Sequence, residues 1–302
     1  MKSDECVAPS SIKGPKTLSA PIDEEWTAVI SPDSSWFPLD LREIWHYRHL
    51  ILLFVRRDFV AQYKQTILGP LWFFLQPLFT TIVFTIVFGK IAKIPTGGVP
   101  TFLFYLSGIV CWGYFSACLL QNSDTFNINA QLFGKAYFPR LVVPISVAIS
   151  NIIRFLMQFF LFVLFFLYYA MQGAEIGISL LALLLPLLII QMAFLGMGVG
   201  ILISSLTTKY RDLTLLVGLV VQLWMYATPI VYPLSLVPQP YRIFFFFNPM
   251  TFVVETFRRG FLGGEGVFYF GYLVISWTIT LALLLIGLLL FSRIEKTFLD
   301  SI

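Results

Sequence analysis

Six stretches of the 302-residue chain are apolar for long enough to cross a bilayer as helices: approximately Pro70 to Ile91, Phe102 to Leu120, Ile152 to Met171, Ile178 to Leu206, Leu213 to Tyr232 and Phe268 to Phe291. A hydrocarbon core about 30 Å thick needs roughly 20 helical residues, each rising about 1.5 Å, and each stretch meets that length. A seventh apolar patch, Ile243 to Phe247, is too short to span. The pattern therefore predicts an all-α, polytopic membrane protein with six transmembrane helices.

Two further segments have a different rhythm. In LREIWHYRHLILLFVRRDFVAQYK, residues 41–64, a helical wheel gathers Leu41, Ile44, Trp45, Ile51, Leu52, Val55 and Phe59 on one side and Arg42, His46, His49, Arg57 and Lys64 roughly opposite. That is the pattern of an amphipathic helix in the membrane interface, with a cytoplasmic helix packed on protein as the alternative. Residues 233–267 carry Pro233, Pro238, Pro240 and Pro249 around the run of phenylalanines at 244–247, too apolar for water and too broken to span. Short re-entrant helices between spans five and six are expected there, with a plain extracytoplasmic loop as the alternative.

Charge sets the orientation. With the amino terminus inside, most of the 20 Lys and Arg residues fall in cytoplasmic segments, and only Lys90, Lys93, Arg242, Arg258 and Arg259 lie outside. Positive charge is retained on the cytoplasmic side, so both termini are expected there. Residues 1–36 are polar, rich in Ser and Pro, and lack an apolar run that could serve as a signal. They are expected to form a flexible cytoplasmic tail before a membrane domain spanning 37–302.

Composition narrows the function classes. Hydrophobic residues make up 58% of the chain and charged residues 12%, against about 45–50% and about 25% in soluble domains. The modest net charge of +4 sits in short loops, which argues against nucleic acid as a partner. Cys6, Cys111 and Cys118 have neither zinc-site nor disulfide-framework spacing, and His46 and His49 lack a third ligand nearby. The sequence contains neither a Gly-x-Ser-x-Gly elbow nor a Gly-x-x-x-x-Gly-Lys-Ser/Thr loop. The reading is thus a non-enzyme with no catalytic, metal or cofactor residues of its own.

One charge interrupts an apolar span: Arg154, near Asn151 and Gln158 on one helical face at the inner headgroup level. It can snorkel to lipid phosphate, or engage the phosphate of a lipid-linked substrate arriving from the inner leaflet. Aromatic residues form 17% of the chain. Because rings suit the apolar faces of sugars, Trp72, Phe73, Trp112, Tyr114, Phe115, Trp224 and Tyr226 are candidates, with Arg154, to line a substrate path. The stretch between the second and third spans, QNSDTFNINAQLFGKAYFPR, is expected to hold a short cytosolic helix or a featureless connector.

Four ordered motifs add a family resemblance. Arg57-Asp58, Tyr63-Lys64, Leu68-Gly69-Pro70, Trp72 and Gln76-Pro77 resemble the amino-terminal segment of ABC-2 type permeases that export polysaccharides. Lys135 to Arg140 resembles the loop before their third span. Tyr210-Arg211-Asp212-Leu213 with Thr228-Pro229-Ile230 and Tyr232 resembles their fifth-span region. Asn248-Pro249-Met250 with Glu255, Phe257-Arg258 and Gly260 resembles their late periplasmic segment. The likeness runs from about residue 41 to the end and is nearest to O-antigen exporters, with capsule and teichoic acid exporters beside them. The longer amino-terminal tail departs from the family pattern.

The resemblance implies a homodimer in the inner membrane, bound to two copies of a separate ATPase subunit that holds ATP and magnesium. It implies a gate in the interfacial helix, with Arg56, Arg57, Asp58, Tyr63 and Lys64. It also implies a coupling segment, with Phe126, Gln131, Lys135, Tyr137 and Arg140, and a re-entrant segment with Asn248, Pro249, Glu255 and Arg258. The substrate it implies is a polysaccharide on undecaprenyl pyrophosphate, passing between the protomers. Two other readings stay open. A small-molecule ABC-2 exporter shares the architecture but generally lacks the Arg57-Asp58 to Trp72 pattern. A polyprenyl-lipid transferase would need clustered ionisable groups, and Glu255, Arg258 and Arg259 come nearest to such a cluster.

Overall fold

The structure, a computed structural model, describes residues 41–64, 66–133, 138–207, 213–263 and 270–299. The chain divides into two compact units, Met1–Trp36 and Phe37–Ile302, and every described residue belongs to the second. The expected tail therefore lies outside the described residues.

Among the described residues all regular structure is helical. Helices α1 (Leu41–His46) and α2 (Arg48–Tyr63) lead into a single-turn 3-10 segment and α3 (Trp72–Phe84), which continues as a π-helical stretch to Ile91. Then come α4 (Thr101–Ser123), α5 (Thr125–Phe133) and α6 (Val142–Met171). A 3-10 turn, Leu180–Leu184, opens α7 (Leu185–Thr207). The chain closes with α8 (Leu213–Tyr226), α9 (Gln239–Phe246), α10 (Pro249–Leu262) and α11 (Phe270–Leu299).

Five of these segments are long and apolar enough to span: Gly69–Ile91, Thr101–Ser123, Val142–Met171, Leu180–Thr207 and Gly271–Arg293. The sixth expected span is seen as the 14-residue α8, about 21 Å long and short of the hydrocarbon thickness. At its carboxyl end the helix breaks at a turn over Ala227–Ile230, because Pro229 has no N–H to continue the ladder. Residues 208–212, before its start, lie outside the described residues.

Helix α4 is the centre of the unit and is buried on almost every side. On α7, Gly196 and Gly200 face α4, while Gly198 faces α11. A Cβ on Gly200 would stand 2.6 Å from Asn122 Cβ and 2.7 Å from the Leu119 carbonyl oxygen, well inside the roughly 3.5–4.0 Å of a carbon contact. Small residues let these three backbones meet, which is how helices associate where lipid removes the hydrophobic drive. Polar links add to this. The Gln191 amide on α7 donates to Ser276 on α11, whose hydroxyl donates to the Pro249 carbonyl at the start of α10, 3.2 Å away.

The outer faces are the reverse. Phe79 and Val83 on α3, Ile86 in the π-helical stretch after it, Leu215, Leu219 and Leu223 on α8, and Leu281 and Leu285 on α11 are exposed and apolar. So much continuous greasy surface needs lipid or another protein as its solvent.

The 41–64 helix departs from the wheel drawn for it. It breaks at Tyr47, and the inward stripe is Ile51, Phe54 and Val55, supported by Ile44, Tyr47 and Leu50. Trp45 and Leu52, assigned to the apolar side, are exposed. The break resets the phase of the wheel, and α2 then packs against α6.

Candidate functional site

Arg258 on α10 is a heavily bonded charge. Its side chain is buried, at 5% exposure. NH1 donates to the Pro229 carbonyl, NH2 to the carbonyls of Ile230 (2.8 Å) and Phe104 (3.2 Å), and Nε to the Ser107 hydroxyl (3.2 Å). The guanidinium also lies 3.7 Å from the centre of the Phe104 ring, a cation–π contact. Gly108 allows this approach, since a Cβ there would meet Ile230 Cγ2 at 2.9 Å and Arg258 NH2 at 3.0 Å. Burial pulls the guanidinium pKa down to about 10 while Glu255 pushes it up, so the group stays cationic at neutral pH. One side chain thus ties α10 to α4 and to the turn that ends α8.

Asn248 makes the second tie. Its Oδ1 accepts from the Met250 backbone N–H, capping α10, and from Trp224 Nε1 on α8, each at 3.1 Å. Its Nδ2 donates to Thr228 Oγ1 (2.9 Å) and to the Ala227 carbonyl (3.3 Å). Pro249 follows at the first helical position, where its missing N–H is not needed. The segment expected to be re-entrant therefore contains two short helices, α9 and α10, of which α10 is bolted to the start of α4 and the end of α8.

Beside Arg258 lies a cavity of about 820 Å³, walled by α9, α10, the 96–99 loop and the start of α11. Glu255 lies between Arg258 (3.7 Å) and Arg259 (3.9 Å). Arg242, also in the wall, spends its donors on the carbonyls of Val237 and Ser235.

In the lower half of the bundle, Arg154 NH2 donates to Gln76 Oε1 on α3 (3.0 Å) and its guanidinium stands 5.3 Å from the centre of the Phe73 ring. One turn away Asn151 donates to Gln121 on α4 (2.9 Å). Gln158, one turn further on, is buried against Gly113. Asn151, Arg154 and Gln158 thus share one polar face of α6, turned toward α3 and α4.

On α2, Arg57 pairs with Asp58 at 2.9 Å and covers the Phe54 ring at 4.7 Å, while Arg56 and Lys64 are exposed. The side chain of Tyr63 lies outside the described residues. In α5, Phe126 is fully buried and stacks on Phe291 of α11 at 4.7 Å. Arg140 is buried beside the Phe133 ring. Lys135 and Tyr137, and the side chain of Gln131, lie outside the described residues.

The aromatic candidates separate into two groups. Tyr114 and Phe115 are core residues: Tyr114 packs on Phe155 and donates to the Ala148 carbonyl, and Phe115 packs on Trp112 and Trp224. They cannot line an open path in this conformation, because α6, α7 and α8 close around α4. Trp112 and Phe73 are buried as well, whereas Trp72 and Tyr226 are exposed and Trp224 is half-buried. Sequence reading did not single out Ser107, Gly108, Glu175 or Thr251. A lone acid between two spans was the available signal for Glu175; the other three depend on which helix faces which.

Long apolar helices, continuous greasy outer faces and polar ties in the interior define a multi-pass membrane protein. Comparison with known proteins sharpens the class. The chain belongs to the ABC-2 type transporter family, whose model matches residues 49–262. It is similar to the O-antigen export system permease protein RfbA of Klebsiella pneumoniae, 26% identical over 250 residues, covering 82% of this chain and 93% of that protein. The protein of the same name from Myxococcus xanthus is 25% identical over 220 residues, 72% of this chain and 82% of its own length. The polysialic acid transport protein KpsM of Escherichia coli is 27% identical over 254 residues, 81% and 93% of the two chains.

Proposed function

We propose that this chain is the membrane-spanning subunit of an ATP-driven exporter that moves undecaprenyl-pyrophosphate-linked O-antigen polysaccharide across the inner membrane. The observation that carries the reading is the likeness, over 72–82% of this chain, to permeases named for O-antigen export, on a family match that covers both helical ties. A capsular polysaccharide is the second reading, favoured by the likeness to a polysialic acid transport protein at similar identity.

Two copies of the chain would form the path, with α8 as a sixth span and both termini in the cytoplasm. ATP and magnesium would be held by two copies of a separate subunit. The coupling role of α5 draws support from Phe126, which is wedged against Phe291, so that a push on α5 reaches α11 through packed rings. The gate role of α2 draws support from its basic exposed face beside the start of α3. Arg154 would meet substrate phosphate at the inner leaflet, with Gln76 holding its fork in place.

The deciding experiment deletes this gene alone and measures surface polysaccharide and undecaprenyl-linked polymer in the same cells. Loss of surface polymer with cytoplasmic accumulation of the lipid-linked form is expected, and chemical analysis of the accumulated chain separates O-antigen from capsule. If neither pool is made, the block lies in synthesis and the export reading fails.

A further inference from the structure

The cavity beside Arg258 is a site in its own right. We propose that it is a sugar-binding vestibule at the extracytoplasmic end of each protomer, which takes a short stretch of the emerging glycan; the inference rests on the export reading above.

Position comes first. The walls are built from the connections after α3, after α6 and after α8, together with the start of α11. All of these lie at the end of the bundle opposite α2 and α5. With the amino terminus inside, that end faces away from the cytoplasm. Its volume of about 820 Å³ is in the range that encloses a small-molecule ligand, about 300–1,000 Å³.

The chemistry of the wall selects the ligand. Its cations are already engaged: Arg258 and Arg242 donate to backbone carbonyls, and Arg259 is ion-paired with Glu255. With three arginines against two glutamates the wall is close to charge balance, and most of the Arg258 donors face backbone carbonyls, so neither an anion nor a cation finds a strong, uncompensated partner. What remains unspent is acceptor and hydroxyl capacity. Glu175 has neither a hydrogen-bond nor an ion-pair partner among the described residues. Glu255 is held by two guanidiniums at 3.7 and 3.9 Å, beyond hydrogen-bonding distance, so its oxygens are still able to accept. The Thr251 hydroxyl is buried without a hydrogen-bond partner, on a residue 4% exposed. A buried hydroxyl of this kind is unfavourable unless something fills the need.

Carboxylates with free lone pairs are acceptors for neutral hydroxyl donors, and a sugar ring presents several in a row. Aromatic walls complete the match. Phe246 and Tyr272 stack at 4.2 Å with 14° between their planes, and Phe245 and Phe252 stand near them. Ring faces carry negative potential and suit the weakly positive C–H face of a pyranose. The combination favours a neutral, polyhydroxylated ligand.

The test uses the full chain in lipid nanodiscs, titrated calorimetrically with short oligosaccharides released by mild acid from the producing cell's own surface polysaccharide. The expected result is saturable binding that weakens at least about tenfold in the Glu175→Met, Thr251→Val double variant, as loss of two hydrogen-bonding groups requires. Both changes are near-isosteric and Glu175 lies on an exposed connection, so folding, checked by circular dichroism, should be unaltered. Undiminished binding in the variant overturns the site. So does absence of binding by a wild-type chain whose deletion removes surface polymer; export then stands and the vestibule does not. Saturable binding of inorganic pyrophosphate that the same variant leaves intact, with no binding of oligosaccharide, would overturn it in favour of an anion site. A deletion strain that keeps its surface polymer overturns the export reading itself, and with it the reason to look for a glycan.

Discussion

Removing Arg258 should loosen the end of the bundle that carries α9 and α10 more than any other single substitution there. In Arg258→Met the carbonyls of Phe104, Pro229 and Ile230 and the Ser107 hydroxyl all lose a donor at once. A buried acceptor left unsatisfied costs about 1–3 kcal/mol. Phe104 lies inside α4 and keeps its helical environment, so the turn carbonyls of Pro229 and Ile230 carry most of the loss. Glu255 also loses one of its two cations. Breaking a buried charge network of this kind costs about 3–5 kcal/mol in total. At about 2–4 °C per kcal/mol for a domain of this size, the melting temperature in nanodiscs should fall by roughly 6–20 °C. Arg258→Lys should recover only part of that, since an ammonium cannot reproduce a planar fork that reaches two carbonyls from one nitrogen. Amide hydrogen exchange separates the mechanism from general damage: protection should drop first across residues 226–232 and last in α7. The reasoning is refuted if both variants melt within about 3 °C of wild type, or if exchange rises evenly through the bundle.

Gly200→Ala should destabilise by about 1–3 kcal/mol by forcing α4 and α7 apart, whereas Gly218→Ala on α8, with open space around it, should be neutral or slightly stabilising; thermal unfolding of both reads the difference, and equal effects would undo the close-approach argument. Asn248→Asp keeps the cap on α10 and places a charge the helix dipole favours, yet it loses both donations to Thr228 and Ala227, so a net loss of about 1–3 kcal/mol is expected by the same assay. A stability equal to wild type would mean the tie to α8 is carried by Trp224 alone. Arg154→Gln can still bond Gln76, so complex assembly judged by co-purification should survive while export measured as surface polymer drops; unchanged export removes the phosphate role.

Sequence alone located the long helices because apolar length is a one-dimensional quantity, and the bilayer sets its scale. It overstated α8 for the same reason: the run from Leu213 to Tyr232 is apolar throughout, and only Pro229 and the Thr228 contacts show that the helix stops at Tyr226. Facing was much less legible. In lipid both the inner and outer surfaces of a helix are apolar, so periodicity does not tell Phe115, fully buried, from Leu219, fully apolar yet exposed. Gly196, Gly198 and Gly200 were a readable signal for close packing, spaced as small-xxx-small with one glycine between. Arg258 was visible as part of a motif, but its partners come from Phe104, Ser107 and the 229–230 turn, more than a hundred residues away in the first two cases, and no local pattern encodes that.

The distribution of ties argues for which parts of the chain can move. Helices α4, α7 and α11 meet backbone to backbone through glycine, and Arg258, Asn248 and the Gln191–Ser276–Pro249 chain fasten α10 and the end of α8 to them. Distorting that block means breaking buried hydrogen bonds or separating close-packed backbones, so it should move as one body. Helix α3 is different. Its outer face is exposed, its last turns are wound as a π-helix, and its polar hold on α6 is the Arg154–Gln76 bond. Most of α8 is also exposed, and its firm fastening is at the Tyr226 end. Rearrangement that widens a path is therefore expected along α3 and the amino-terminal part of α8, with the stapled block serving as the fixed wall. On that division Trp72 stands on the mobile rim, Tyr226 at the fastened end of α8, and Tyr114 and Phe115 hold the wall together.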